Sequence, residues 1–223
     1  MDVGARIGFR ELSRTEIAPA AQLLARGMGD NPILVQAFGP DPEKRQRRLD
    51  RYYAQVVPFI QAKGGFLGAF AGSTLVGVIG TLKPGFCQPG PMDALRFVPS
   101  LLANNSPAGA LRVKRWLDTW ARHDPREEHW HVGLLAVDSD MQARGVGTKL
   151  MTEHCARMDT VAATSYLETD KAINVRFYQK FGYKIAGQAP VLGVSNWFMR
   201  RGARVEGRRE TQEGKTQSLA AND

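Results

Sequence analysis

The segment Gln142-Ala143-Arg144-Gly145-Val146-Gly147-Thr148 stands between an apolar run, 131–137, and a stretch with helical periodicity. Its two glycines let the backbone approach a ligand closely and adopt conformations that a side chain disfavours. The first amides of the following helix have no intrahelical acceptor and sit at the positive end of the helix dipole. Arg144 and Lys149 add formal positive charge. Together these features suit a pyrophosphate group. The segment is not a P-loop, because Gly147 is followed by Thr148-Lys149 rather than by Lys and a hydroxyl residue. A dinucleotide fingerprint fails too, because position 150 is Leu where a third glycine is needed.

Metal and thiol chemistry find less support. His123, His129, His131 and His154 show neither zinc spacing with cysteines nor a HExxH pair, so no metal is expected. Cys155 falls on the apolar face of a predicted helix and reads as packing. Cys87 has no His or Asp signature beside it in the sequence and is expected to be unreactive. Two cysteines make no disulfide framework.

The elements that must position the glycine segment follow from pattern. Ile7–Leu12 alternates as a strand, and Ser13 or Thr15 caps a helix running from Glu16 to about Met28, where Gly29-Asp30-Asn31-Pro32 breaks it. Asp41-Pro42-Glu43 opens a second helix that ends at Gly64-Gly65. Phe66–Ala71 and Thr74–Leu82 flank Gly72-Ser73 as a hairpin. Residues 83–107 are rich in Pro, Gly and Asn, which predicts a long irregular segment of the kind that forms binding loops. A helix over Leu111–Ala121 follows. The run 131–137 predicts a strand covered on both faces. Gly147 to Met158 predicts a helix burying Leu150, Met151, His154, Cys155 and Met158. Tyr166–Thr169 is a strand, and Asn174–Phe181 a helix closed by Gly182. Strands at Tyr183–Ala186 and Ser195–Arg200 complete the domain, and a disordered polar tail is expected over 202–223.

Composition narrows the function classes. The chain has 223 residues with 30 Lys+Arg against 22 Asp+Glu, a formal net charge of +8. No apolar run approaches the roughly 20 residues of a membrane span. The N-terminus lacks the apolar core of a signal peptide, so a cytoplasmic location and no membrane association are expected. The basic excess is concentrated in the solvated helix around Lys44, Arg45, Arg47, Arg48 and Arg51 and in the tail, where acidic residues are interleaved. No nucleic-acid partner is therefore expected.

The ordered combination Leu135-Ala136-Val137, Gln142-x-x-Gly145-x-Gly147, Leu167-Glu168-Thr169 and Asn174-Val175-Arg176-Phe177-Tyr178-Gln179-Lys180-Phe181-Gly182-Tyr183 resembles the GNAT superfamily of N-acetyltransferases. The first block resembles its acetyl-CoA motif, and the second its N-x-x-x-Y-x-x-x-G-F/Y segment. Ala143 departs from the usual Gly, which narrows the backbone approach. The resemblance implies one α/β (α+β) domain over 1–201, with a mixed, mostly antiparallel sheet whose strands 131–137 and 166–169 splay apart.

By the same resemblance, acetyl-CoA is the co-substrate and an amine the acceptor. Backbone at Leu135, Ala136 and Val137 would hold the pantetheine arm. Gln142, Ala143, Arg144, Gly145, Val146, Gly147 and Thr148 would hold the pyrophosphate. Tyr178 is the candidate general acid, since a phenol of pKa about 10 suits protonation of a departing thiolate. Asn174 shares its helix face and either touches the cofactor or caps the helix. Among Glu127, Glu128, His129, His131 and Glu168, His131 is placed first as base by position. The acceptor is a small molecule or peptide amine, with a homodimer possible by the same resemblance. A non-catalytic acyl-CoA-binding module is the competing function.

Overall fold

The computed structural model describes residues 7–203, which fold around a seven-stranded sheet. The strands are β1 (Ile7–Glu11), β2 (Gly64–Ala71), β3 (Thr74–Leu82), β4 (Trp130–Val137), β5 (Ser165–Thr169), β6 (Lys184–Val191) and β7 (Val194–Arg201). Their spatial order is β1-β2-β3-β4-β5-β7-β6. Every neighbouring pair is antiparallel except β4 and β5. The helices are α1 (Ile17–Gly27), α2 (Pro32–Phe38), α3 (Pro42–Lys63), α4 (Pro91–Asn104), α5 (Pro107–Ala121), α6 (Val146–Thr160) and α7 (Ala172–Gln179). This is the mixed, mostly antiparallel α/β architecture expected from the sequence.

The centre of the sheet is apolar on both faces, and strand alternation assigns neighbouring residues to opposite layers. Phe66 and Val78 pack with Leu24, Phe38, Leu49, Tyr53, Val57 and Trp116 in the layer built by α1, α2, α3 and α5. Leu67 and Ile79 pack with Leu150, Met151, Cys155, Leu167, Tyr178 and Tyr183 in the layer under α6 and α7. In α3 the buried residues Leu49, Tyr53, Val57 and Ile60 recur at helical spacing. Its start is fixed by the Asp41 carboxylate, which accepts from the Lys44 amide at 3.0 Å, with Pro42 at the first helical position. The five residues expected to be buried on α6 are all buried.

Two segments depart from expectation. Gly29–Asn31 does break α1, but Pro32 then occupies the first position of a second helix, α2, which Gly39 ends at a φ of +106°. The 83–107 stretch is not irregular throughout, since 91–104 form α4. Pro91 sits at the first helical position of α4, where its missing amide costs nothing. The same residue type that suggested a loop therefore marks a helix start in both places.

The basic helix is also more engaged than a solvated face. The Arg45 guanidinium donates to the carbonyls of Gly29, Gly39 and Pro40, and that of Arg48 to Phe38. These cations tie down the α1–α2 and α2–α3 connections. No helix among the described residues is long and apolar enough to cross a membrane. The tail expected over 202–223 lies outside the described residues from position 204 onward.

Candidate active site

The parallel pairing of β4 and β5 stops after two residues, Trp130 with Ser165 and His131 with Tyr166. Beyond that point β4 keeps its ladder with β3 on one edge only, out to Val137 opposite Gly77. The β3–β4 register shifts at the level of the split. Gly80 faces Leu134 and Thr81 faces Val132, so Gly133 is a bulged residue on β4. The predicted splay is therefore present, and it leaves one edge of the β4 backbone open along Val132–Val137.

At the far end of β4 the chain turns through Ser139–Met141 and enters the glycine segment. Ala143 and Gly145 both take the left-handed conformation, with φ of +58° and +80°. For Gly145 that angle alone explains the residue type. For Ala143 it adds strain of about 1 kcal/mol. The Lys149 amide donates to the Gly145 carbonyl at 2.9 Å and is the first of α6 to find a helical acceptor. The amides of Val146, Gly147 and Thr148 thus remain at the helix start. Gly147 is different from Gly145. A methyl group there would lie 3.6 Å from Val137 Cγ2 and 3.9 Å from Phe177 Cζ, ordinary contacts that the fold tolerates. The fold does not require a glycine at 147, so a bare surface there fits a closely approaching ligand.

The side chains around this loop divide by role. Gln142 is exposed, and its side-chain amide donates to the Val137 carbonyl at 3.2 Å, clamping the loop to the strand end. Val146 is buried in the lower core. Arg144 and Thr148 are exposed, and Lys149 pairs with Glu153 at 2.9 Å. Ala136 points into the upper core, whereas Leu135 and Val137 are half-buried in the lower layer.

A cavity of about 700 Å³ opens against the splayed edge. Tyr52, Val56, Phe59, Phe97, Trp116 and Trp120 supply its apolar wall. His131, Leu135, Glu168, Asp170, Asn174 and Tyr178 line it on the strand side. Tyr178 and Asn174 thus reach the same space as Leu135, as their shared helix face predicts. Asn174 does not cap α7, because Lys171 is the N-cap and Asn174 lies three residues inside. Burial, and secondarily the charge of Asp170, holds the Tyr178 phenol well above its ordinary pKa. It therefore stays an un-ionised phenol throughout the neutral range.

His131 is where the two strands part. Its Nε2 lies 2.7 Å from Glu168 Oε2, with side chains only 9% and 2% exposed. Burial disfavours the imidazolium, but the Glu168 charge and hydrogen bond, with Cys87 behind, outweigh it and hold the pKa well above 6.5. Asp124 joins this group, its Oδ2 accepting from Gln88 Nε2 at 2.6 Å, and burial raises its pKa. One donor atom from each of Asp124, His131 and Glu168 falls within 4.8 Å of the others.

Sequence reasoning missed three residues here. Asp170 accepts from the Ile33 amide at 2.7 Å and faces the cavity, a contact spanning 137 positions. Asp124 lay in an unremarkable turn. Cys87, expected to be unreactive for want of a nearby histidine, has its Sγ 3.2 Å from His129 Nε2. Forty-two residues separate that pair, so no local signal marks it.

The model of the Acetyltransferase (GNAT) family matches residues 32–183. Solved structures of similar fold include histone acetyltransferase HPA2 and related acetyltransferase from Corynebacterium glutamicum, at 18% identity over 90% of this chain and 98% of that one, with a TM-score of 0.70. The PaiA N-acetyltransferase from Thermoplasma acidophilum, in complex with coenzyme A, matches at 15% identity over 88% of this chain and 99% of that one, with a TM-score of 0.52. Arylalkylamine N-acetyltransferase 2 from Aedes aegypti matches at 13% identity, over 88% of this chain and 99% of that one, with a TM-score of 0.55. At these identities the structural likeness speaks for the fold, while the family match covers most of the chain, including the open strand edge, the glycine segment and Tyr178. The chain belongs to the GNAT acetyltransferase family.

Proposed function

We propose that this protein transfers the acetyl group of acetyl-CoA directly to an amine that enters the apolar cavity. The observation that carries this reading is the coincidence, along one strand, of an open β4 edge, a glycine segment at its far end and a shared cavity holding Tyr178. When bound, acetyl-CoA supplies a thioester-activated acetyl group with a thiolate leaving group. The amides of Val146, Gly147 and Thr148, with Arg144 beside them, would hold its pyrophosphate. The open β4 edge at Leu135–Val137 would pair with amide groups of its arm and offer an N–H to the thioester oxygen.

The remaining roles fall to side chains lining the cavity. Tyr178, a phenol at neutral pH, donates its hydroxyl proton to the departing sulfur. Asn174 orients the same region from one turn earlier on α7. Because Glu168 keeps His131 protonated, His131 takes a proton from the incoming ammonium only after losing its own. The aromatic wall favours an amine carried on an apolar body, and Glu168 and Asp170 give its cationic end a counter-charge. A peptide backbone would leave polar groups unpaired against the same wall.

Thiol release from acetyl-CoA across an amine panel tests the reading. Release that depends on an apolar primary amine, with the acetylated amine detected by mass, is the expected result. CoA binding without release for any amine would instead support the non-catalytic acyl-CoA module.

A further inference from the structure

We propose that Cys87 is an activated, electrophile-reactive thiol, with His129 as its base, forming a covalent modification site on the wall of the cavity. The sulfur lies 3.2 Å from His129 Nε2. On its other side, His129 Nδ1 lies 2.8 Å from the Glu127 carbonyl, which can only accept. Nδ1 therefore carries the proton, and Nε2 presents its lone pair to the thiol. That is the order of a nucleophile, a base and a group that orients the base. The ring is held in place by the edge-on face of Tyr166, with centroids 5.3 Å apart, and His129 is itself buried.

A second observation comes from His131. It is more than nine-tenths buried, and its Nδ1 has no hydrogen-bond partner among the described residues. Its charge, maintained by Glu168, favours an anion at Cys87. The groups facing the sulfur are thus His129 from the residue just before β4 and His131 from β4, with Glu168 from β5 and Asp124 from the turn after α5 behind them. Burial opposes ionisation of the thiol, but the His129 hydrogen bond and the charges of the two histidines outweigh it and hold the pKa below its ordinary value. His129 is correspondingly raised.

Access distinguishes Cys87 from an inert core thiol. It lines the large cavity and also a separate depression of about 340 Å³ formed with Gln88, Asp124, Glu127 and His129. Cys155, by contrast, is buried in the lower core. The reagents such a site takes are soft electrophiles, an alkylating carbon or a peroxide oxygen. With an alkyl iodide, Sγ bonds to carbon, iodide leaves, and the thiol proton passes to His129 Nε2. With a hydroperoxide, sulfur gains one oxygen and is oxidised by two electrons. The O–O bond breaks, and the leaving hydroxide or alkoxide takes the proton.

The test is the rate of iodoacetamide labelling, mapped to each cysteine by peptide mass and followed against pH. Because intrinsic nucleophilicity falls as a thiolate is stabilised, faster labelling than in the urea-unfolded chain is expected at pH 7, a tenfold rise in thiolate speeding it only about threefold. The labelling midpoint of Cys87 in the folded protein is expected below that of the unfolded chain. His129→Phe is expected to move it back upward. A folded midpoint at or above the unfolded one would overturn the proposal. So would an unchanged midpoint in a folded His129→Phe variant. If that variant fails to fold, the wild-type comparison decides alone. The readout requires no acetyl transfer, so it stands or falls separately from the proposed reaction.

Discussion

Replacing Glu168 by Gln removes the counter-charge of a buried imidazolium while keeping an oxygen that a neutral imidazole can use. In the wild type the His131 pKa is raised above its unfolded value of 6.5. A raised folded value stabilises the protein fully below pH 6.5, and the stabilisation is lost as pH rises through the folded value. Without Glu168, burial, the largest influence on His131, is opposed only by Cys87 and is expected to push the ring the other way. The variant must then fold with a neutral ring, and at pH 5 deprotonating a group of unfolded pKa 6.5 costs up to about 2 kcal/mol, at 1.36 kcal/mol per pH unit. At pH 8 that cost vanishes. Urea unfolding of both proteins at pH 5 and pH 8 gives the difference directly, and contributions from distant titrating groups cancel in it. The stability gap is expected to be at least about 2 kcal/mol wider at pH 5. An equal gap at both values would show that His131 is neutral in the folded wild type and would refute the ion pair.

Other consequences can be checked separately. Tyr178→Phe is expected to lower kcat by about 10²-fold, the scale of a lost general acid, with little change in CoA affinity; full turnover would assign the proton elsewhere. The rate of acetyl transfer is expected to climb with pH above neutrality as His131 loses its proton, and a profile flat from pH 6 to 9 would remove it as base. His154, bonded through Nε2 to Ser165 Oγ at 2.9 Å, is held by burial at a pKa of about 4. A histidine so depressed contributes stability above pH 6.5 that is lost as pH falls towards 4, here about 3 kcal/mol. His154→Gln is expected to flatten that acid limb in urea unfolding; an unchanged limb would count against the assignment.

The glycine segment and the Asn174–Tyr183 block were legible because backbone chemistry at a helix start and a helix face is local. The same holds for the buried face of α6, which repeats at helical spacing. Helices α2 and α4 were illegible because Pro32 and Pro91 serve equally as breakers and as first helical residues, and only tertiary burial of Phe38, or the docking of Phe97 against Phe59, decides between them. The Cys87–His129 and Ile33–Asp170 contacts join elements 42 and 137 positions apart and have no local pattern at all. Position at the head of the predicted splayed strand is what singles out His131 among the candidate bases. Its partner Glu168 was in the same group of candidates, but a hydrogen bond between neighbouring strands follows from register, which the sequence does not specify.

Calorimetric titration with acetyl-CoA, on the wild type and on Gly147→Val, tests the central claim most directly. A valine at 147 has room against Val137 and Phe177 for its first carbon but projects further methyls over the amides of the helix start. Saturable binding by the wild type, lost in a Gly147→Val variant of unchanged thermal midpoint, is the predicted result. No heat from the wild type, or equal affinity in the two proteins, would contradict the account.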